Sequence, residues 1–194
     1  MRSTPPYPRF PQSETLYHSK YDPAGRVAGR VLIAYASRHG STGEVARAIG
    51  RHFIGQKYAV DCRPILTVRS LLGYDSVLLG SAIRDLYWLP EAVSFAQRFR
   101  RDLAQLPTAL FTVHMLALDD GETSTRQRLR YIDPVLQLFK PWDWAFFPGK
   151  IDFRSLGIRE RKKSLTIKAP HQDLRDWPRI DRWAEQLVFN FASP

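Results

Sequence analysis

The sequence has little cysteine and no long apolar run. A single cysteine, Cys62, excludes an internal disulfide, and five scattered histidines with no CxxC pair give no reason to expect a metal site. A membrane-spanning helix needs roughly 18 consecutive apolar residues, which no stretch supplies, and the N-terminus has no apolar signal core. We therefore expect a cytoplasmic chain that does not span a membrane.

Acidic residues are also few. The 194 residues include 29 Lys and Arg against 19 Asp and Glu, which gives a formal net charge of +10. This charge favours an acidic partner, which could be nucleic acid, anionic lipid or an acidic protein. The basic residues are spread along the chain and no nucleic-acid motif is present, so we expect no specific nucleic acid.

The hydrophobic pattern divides the chain into two parts. Residues 1–29 are rich in proline and lack periodicity, which predicts an irregular arm. From residue 30 to 194, apolar runs alternate with helical periodicity, which is typical of a parallel sheet covered on both faces. We predict a doubly wound five-stranded α/β domain with helices on both faces of the sheet. Its predicted strands are 31–36, 58–62, 76–81, 110–116 and 144–147. Its later helices are predicted over 92–106, over 124–139 with a break at Pro134, and over 177–191.

The turn after the first predicted strand carries polar side chains. In such a sheet, ligands bind beyond the carboxyl ends of the strands, where the strand order reverses. Ser37, Ser41 and Thr42 offer hydroxyls, Gly40 gives flexibility, and a helix N-terminus follows, so the turn could hold a phosphate without a lysine. The same residues could equally form a capped strand-to-helix turn and nothing more. Both GxGxxG and GxxxxGK[ST] are absent, which argues against dinucleotide and P-loop nucleotide sites.

Three segments resemble a known family. They are VLIAYASRHGSTGEVARAIG from Val31, GYDSVLLGSAIRDLYWLPEAVSF from Gly73 and DLRDWPRIDRWAEQL from Asp173. Over about residues 30–190 the sequence resembles the flavodoxin-domain family, which includes menaquinone-dependent protoporphyrinogen dehydrogenase. Ser37, Gly40 and Thr42 fall on that family's hydroxyl-x-x-glycine-x-threonine positions. The resemblance implies a flavodoxin-like fold and FMN as the cofactor.

The resemblance also implies a site built from three loops. Its phosphate loop consists of Ser37, Arg38, His39, Gly40, Ser41 and Thr42. Two further loops would frame the flavin ring through backbone amides and carbonyls. These are Ser81, Ala82, Ile83, Arg84, Tyr87 and Trp88 in one, and Thr112, Val113, His114, Met115, Leu116 and Ala117 in the other.

Several of these positions have two interpretations. Either Tyr87 or Trp88 could cover the flavin ring, with the other in the core. Arg38 could supplement the phosphate site or only coat the surface. Leu86 replaces a glycine that is common in the family, where a flexible peptide near flavin N5 responds to reduction. Asp85 would lower the flavin potential if it points inward, and has no such effect if it faces solvent.

No catalytic side chain is assigned. His39 and His114 lie on candidate cofactor loops, but an exposed loop histidine and a core histidine explain them better than acid–base roles. Flavin chemistry belongs largely to the cofactor, which the protein positions and tunes.

Three functions remain open. The first is a two-electron, quinone-linked FMN oxidoreductase at the inner face of the membrane, where the basic segment 158–168 could meet anionic lipid or simply be a solvated loop. The second is a flavodoxin-type electron carrier that docks on a redox protein, although such carriers are usually acidic and the charge here is opposite. The third is a cofactor-free basic binding module.

Overall fold

The computed structural model describes residues 18–152 and 171–192. The strands of this part are β1 (Ser19–Tyr21), β2 (Arg30–Ala36), β3 (Ala59–Pro64), β4 (Ser76–Arg84), β5 (Tyr87–Trp88), β6 (Thr108–His114), β7 (Asp143–Pro148), β8 (Lys150–Asp152) and β9 (His171–Asp173). The helices are α1 (Ser41–Gly55), α2 (Pro90–Arg98), α3 (Arg100–Gln105), α4 (Glu122–Leu136) and α5 (Trp177–Ala192). A short 3-10 turn, Ile65–Thr67, follows β3.

The main sheet has the order β1-β3-β2-β4-β6-β7. Strands β3, β2, β4, β6 and β7 are parallel, and in chain order they are arranged 2-1-3-4-5. The order reverses on either side of β2, so the crevice for a ligand lies beyond the carboxyl ends of β2 and β4. The predicted fold class, a flavodoxin-like α/β sheet, is confirmed.

Two antiparallel strands extend the predicted five. Residues 19–21, which the sequence places in the irregular arm, form β1 and pair with β3. A three-residue strand is too short to show a period-two pattern, and its position depends on a distant contact: His18 Nε2 donates to Asp61 Oδ1 at 2.7 Å. β5 turns back on the end of β4 as a hairpin. The boundary at residue 29 otherwise stays a prediction.

Helices cover the sheet on both faces. Strand residues alternate between them: Val31 and Ile33 pack with α1 and α5, whereas Leu32 and Ala34 pack with α2, α3 and α4. Since both faces of β2 are buried, its sequence is continuously apolar rather than alternating.

Two helix predictions need correction. The helix predicted over 92–106 is split at Phe99, whose backbone leaves helical geometry, so α2 and α3 are separate. α4 is continuous, although the sequence predicts a break at Pro134. Pro134 lies in the last turn of α4, where its missing N–H affects one turn and Gln137 N–H still bonds to Asp133 O at 3.1 Å.

Within residues 18–152 and 171–192, no helix is long and apolar enough to cross a membrane. The basic segment 158–168 lies outside the described residues.

Candidate functional site

The loop between β2 and α1 turns sharply at a glycine. Gly40 has φ of 87°, in the left-handed region, and a Cβ built there would meet no atom of the described chain within 4 Å. Its N–H donates to Ser37 Oγ at 3.0 Å, which fixes the turn. Gly40 therefore supplies the backbone conformation that starts α1, and Ser37 holds it.

The first turn of α1 leaves polar groups unsatisfied. Among the described residues no side chain caps this helix, and its first intrahelical bond is from Glu44 N–H to Gly40 O. Thr42 Oγ1 is buried in the same turn and has no hydrogen-bond partner within the described chain. Unsatisfied buried hydroxyls are uncommon, and one beside uncapped helix amides is an arrangement that an anion satisfies.

Arg38 and His39 are the two exposed residues of this loop. An Arg38 guanidinium nitrogen lies 3.2 Å from a Glu91 carboxylate oxygen, so Arg38 joins the loop to the first turn of α2. His39 is exposed. Arg38 therefore links two loops of the site.

The loop after β4 is the turn of the β4–β5 hairpin. Asp85 and Leu86 form its two-residue tip with φ of 51° and 67°, the signs that a type I′ turn requires. The family commonly has a glycine at this position, and glycine adopts the left-handed backbone conformation without strain. Leu86 adopts the same conformation here. The Asp85 carboxylate is 78% exposed beside Arg84, so it faces solvent.

The structure separates the roles of Tyr87 and Trp88. Trp88 is buried, and its indole Nε1–H donates to Thr112 Oγ1 at 2.8 Å. Tyr87 is 55% exposed, so it is the residue of the pair that could cover a flat ligand. The Ser81 hydroxyl donates to Ala82 O and accepts from Leu89 N–H, so it supports the hairpin rather than facing a ligand.

Arg128, which the sequence analysis does not identify, supports the loop after β6. Arg128 of α4 is 7% exposed and donates to Ala117 O at 2.8 Å and to Asp119 O at 2.6 Å. Ser124, Arg128 and Tyr131 are buried at helical spacing along α4. That periodicity is the signal that could have identified Arg128, because a charged residue on a buried helix face needs partners.

His114 also fixes this loop. Its Nδ1–H donates to Leu116 O at 2.6 Å. Burial lowers the pKa of His114 to about 4, and the positive charges of Arg128 and Arg179 act in the same direction. The imidazole is therefore neutral near pH 7 and lies in the core, as expected. Thr112 and Val113 are buried as well, so these three residues could meet a ligand only through their backbone.

A second arginine that sequence reasoning missed supports α1. Arg175 contacts the carboxylate of Glu44, donates from Nε to Asp173 Oδ1 at 2.7 Å, and stacks 4.6 Å from the Trp177 ring. The hydrogen bond to Asp173 and the carboxylate of Glu44 raise the pKa of Arg175. Through Arg175, Glu44 therefore links the start of α1 to Asp173 in β9. Its negative charge also interacts favourably with the dipole of α1.

Comparison with known proteins decides the family. A family model described as Flavodoxin domain matches residues 32–176. The chain belongs to the flavodoxin-domain family. The search of curated proteins finds no match.

Solved structures of similar fold are distant in sequence. A short-chain flavodoxin associated with a bacterial microcompartment is 14% identical with a TM-score of 0.55, and flavodoxin 2 from Bacillus cereus is 19% identical with a TM-score of 0.51. An NADH:FMN oxidoreductase is 9% identical with a TM-score of 0.50. The matches cover 84% of this chain and 98%, 97% and 88% of the respective structures. At these identities they show the fold alone.

The residues of this flavodoxin-domain protein fit the cofactor that the family resemblance implies. The unpartnered Thr42 hydroxyl and the uncapped amides of α1 suit the phosphate of FMN. Tyr87 and Leu116 are exposed on the two other loops and offer apolar surface for a flat ring. The predicted site residues thus occupy three neighbouring loops, whereas the side chains of Ser81, Trp88 and His114 are used internally.

Proposed function

We propose that this chain binds FMN and is a two-electron oxidoreductase whose electron acceptor is a quinone, similar to protoporphyrinogen dehydrogenase. The observation that carries the proposal is the unpartnered, buried Thr42 hydroxyl in the uncapped first turn of α1. A phosphate there would accept hydrogen bonds from the hydroxyl and from the helix amides, so both would be satisfied.

Each loop has a distinct task in this proposal. Residues 40–42 would bind the phosphate, Tyr87 would cover the ring, and the backbone of residues 115–117 would contact the ring. Bound FMN would supply the redox chemistry, since it accepts and donates electrons. The chain positions the ring and excludes water from its inner face, and Trp88 and Arg128 hold the two ring loops in place.

Two features favour a quinone-linked enzyme over an electron carrier. The net charge of +10 opposes the electrostatic steering that acidic carriers use. The loop after β4 is a paired hairpin with Trp88 buried beneath it, so it is more constrained than a glycine-containing loop. The resemblance associates carriers with a flexible peptide at that position.

Spectroscopy and turnover test the proposal. The purified chain is titrated with FMN, reduced anaerobically and mixed with menadione. We expect quenching of FMN fluorescence and formation of one menadiol per flavin. A fall of about tenfold in FMN affinity in Thr42→Val, with retention in Thr42→Ser, would tie the binding to the hydroxyl. Reduction of one-electron acceptors without menadiol would support the carrier, and absence of FMN binding would leave the cofactor-free binding module.

The membrane contact is a separate part of the proposal. The basic segment 158–168 would lie on anionic lipid and bring the chain to a membrane-bound quinone. Sedimentation with phosphatidylglycerol vesicles tests this, with phosphatidylcholine vesicles as the control. Binding to both or to neither would remove the anionic membrane from the proposal without affecting FMN binding.

A further inference from the structure

A cavity of about 500 Å³ opens at the edge of the sheet, away from the phosphate loop. It lies beside β7, between the first halves of α4 and α5. β7 is the last strand on that side in the part of the chain that the structure describes. The volume falls within the range of about 300–1,000 Å³ that is usual for small-molecule sites.

Three arginines line this cavity: Arg128, Arg179 and Arg182. Arg128 is already paired, because it holds two loop carbonyls and lies 3.7 Å from Asp120. Arg179 and Arg182 form no side-chain hydrogen bond or ion pair with any described residue. They lie three residues apart on α5 and therefore project from the same helix face.

The described residues that line the cavity include no acid. Arg179 is half-buried and Arg182 is exposed, so their like charges repel each other under partial screening by water. The cavity is therefore positively charged and suited to an anion. Guanidinium groups bind carboxylates with two parallel hydrogen bonds, which favours a carboxylate over a spherical anion.

Aromatic side chains form much of the remaining wall. Trp144 is 41% exposed and lies on the same face of β7 as Phe146, whereas Trp183 is contributed by α5. Trp183 is fixed in orientation, since its indole Nε1–H donates to Asp143 Oδ2 at 2.9 Å and its ring meets Phe147 edge-on. Rigid aromatic walls bind flat apolar groups by stacking. The cavity thus combines an apolar, aromatic wall with two uncompensated cations.

We propose that this cavity binds a small aromatic carboxylate, with its ring against Trp144 and its carboxylate on Arg179 and Arg182. The site is distinct from the proposed FMN site and does not depend on it. The two are neighbours through Arg128, which lines the cavity and also holds the loop after β6. A ligand in the cavity would lie against the helix that supports one of the ring loops.

Calorimetric titration with 2-naphthoate tests the proposal on the full chain, with 2-naphthamide as the neutral probe of the same shape. Measurements are made without FMN and with FMN present in excess. We expect 2-naphthoate to bind at least about tenfold more tightly than the amide, because the charge-assisted bonds are missing from the amide. Higher salt should weaken the binding of the carboxylate alone.

Variants locate the binding. Arg179→Gln and Arg182→Gln should each weaken 2-naphthoate binding about tenfold, and Trp144→Ala should weaken both probes. Arg101→Gln removes an equal charge from an exposed position on α3 and should change nothing. Circular dichroism verifies the fold of each variant.

Several results would overturn the proposal. One is equal binding of the acid and the amide, and another is an equal loss in Arg101→Gln and Arg182→Gln. Displacement of 2-naphthoate by FMN would place the probe in the flavin site. Absence of binding at about 1 mM probe would also reject the proposal. Because the titration without FMN stands alone, failure of this proposal is distinguishable from failure of FMN binding.

Discussion

Trp88 donates its indole Nε1–H to Thr112 Oγ1 at 2.8 Å across the top of the sheet. Both side chains are buried. Trp88 ends the β4–β5 hairpin, and Thr112 precedes the loop after β6. A single buried hydrogen bond therefore joins the two loops that we propose to flank the flavin ring.

A double-mutant cycle should detect this bond. Trp88→Phe leaves a smaller ring and an unpaired Thr112 hydroxyl, and should lower the free energy of unfolding by about 2 kcal/mol. Thr112→Val leaves the indole N–H unpaired and should lower it by about 1–3 kcal/mol. The double variant should lose about 1 kcal/mol less than the sum, measured by urea unfolding.

Thr108→Val is the matched control for this cycle. Its hydroxyl is buried at the other end of β6 and donates one bifurcated hydrogen bond to Leu103 O and Leu106 O. It should destabilise the chain but show no coupling to Trp88→Phe. Additive losses for Trp88 and Thr112 would show that their hydrogen bond contributes nothing to stability.

Thr42→Val should separate ligand binding from stability. The hydroxyl has no partner among the described residues, so its removal should leave the FMN-free chain equally stable or more stable. FMN affinity should fall about tenfold, because a hydrogen bond to a charged phosphate is lost. Fluorescence titration measures the affinity, and thermal unfolding measures the stability.

Ser76→Ala provides the comparison for Thr42→Val. Ser76 Oγ is also buried and unpartnered within the described chain, but it lies at the start of β4, opposite the site. Its removal should have a similar effect on stability and none on FMN binding. An equal loss of FMN affinity in both variants would argue against a phosphate at Thr42.

Arg128→Gln should loosen the loop after β6. The variant loses the charge-assisted bonds to Ala117 O and Asp119 O. We expect faster amide hydrogen exchange in residues 115–121, with little change in β2 or α1. Arg126→Gln, an exposed arginine on the same helix, should leave the exchange unchanged. Unaltered exchange in Arg128→Gln would show that other contacts hold the loop.

The regular part of the fold could be predicted from local pattern. Runs such as 31–36 are apolar because both faces of the strand are buried, so a strand of this kind can be recognised from its sequence. β1 has no such pattern. Its three residues form a strand because they pair with β3 and because His18 contacts Asp61. Short edge elements are set by tertiary contacts.

The site was predictable in position but not in detail. Tyr87 and Trp88 are adjacent aromatics on one short strand, so their side chains point to opposite faces, and the sequence does not say which face is buried. Similarly, the sequence does not show which serine or threonine hydroxyl of the phosphate loop is available to bind a ligand. Only the fold shows that Ser37 is used by Gly40 while Thr42 is left without a partner.

Gly80→Ala should strongly destabilise the chain. The Phe111 ring packs directly on Gly80, and a Cβ there would lie 2.0 Å from its Cζ atom. Neither β4 nor β6 can move easily, since both are central strands, so we expect a loss of about 3 kcal/mol or more in urea unfolding. Gly73→Ala meets no described atom within 4 Å and should cost only about 1 kcal/mol for its left-handed backbone. Similar losses would show that Phe111 moves aside.

His114 should make the stability depend on pH between about 6.5 and 4. Its folded-state pKa is lowered to about 4 by burial, whereas the unfolded chain takes up this proton near 6.5. In that window the unfolded state binds more protons, so the free energy of unfolding falls as the pH is lowered, by about 3 kcal/mol in all. Above pH 6.5 the histidine is neutral in both states and contributes no slope.

Urea unfolding from pH 7.5 to 4 measures this dependence. His114→Gln should flatten the fall, while His39→Gln, on the exposed phosphate loop, should keep it. The carboxylates of Asp22 and Asp173 have pKa values lowered from 3.8, so the stability they contribute is lost at more acidic pH and does not mask the effect. If His114→Gln kept the full slope, a group other than His114 would have to take up the proton.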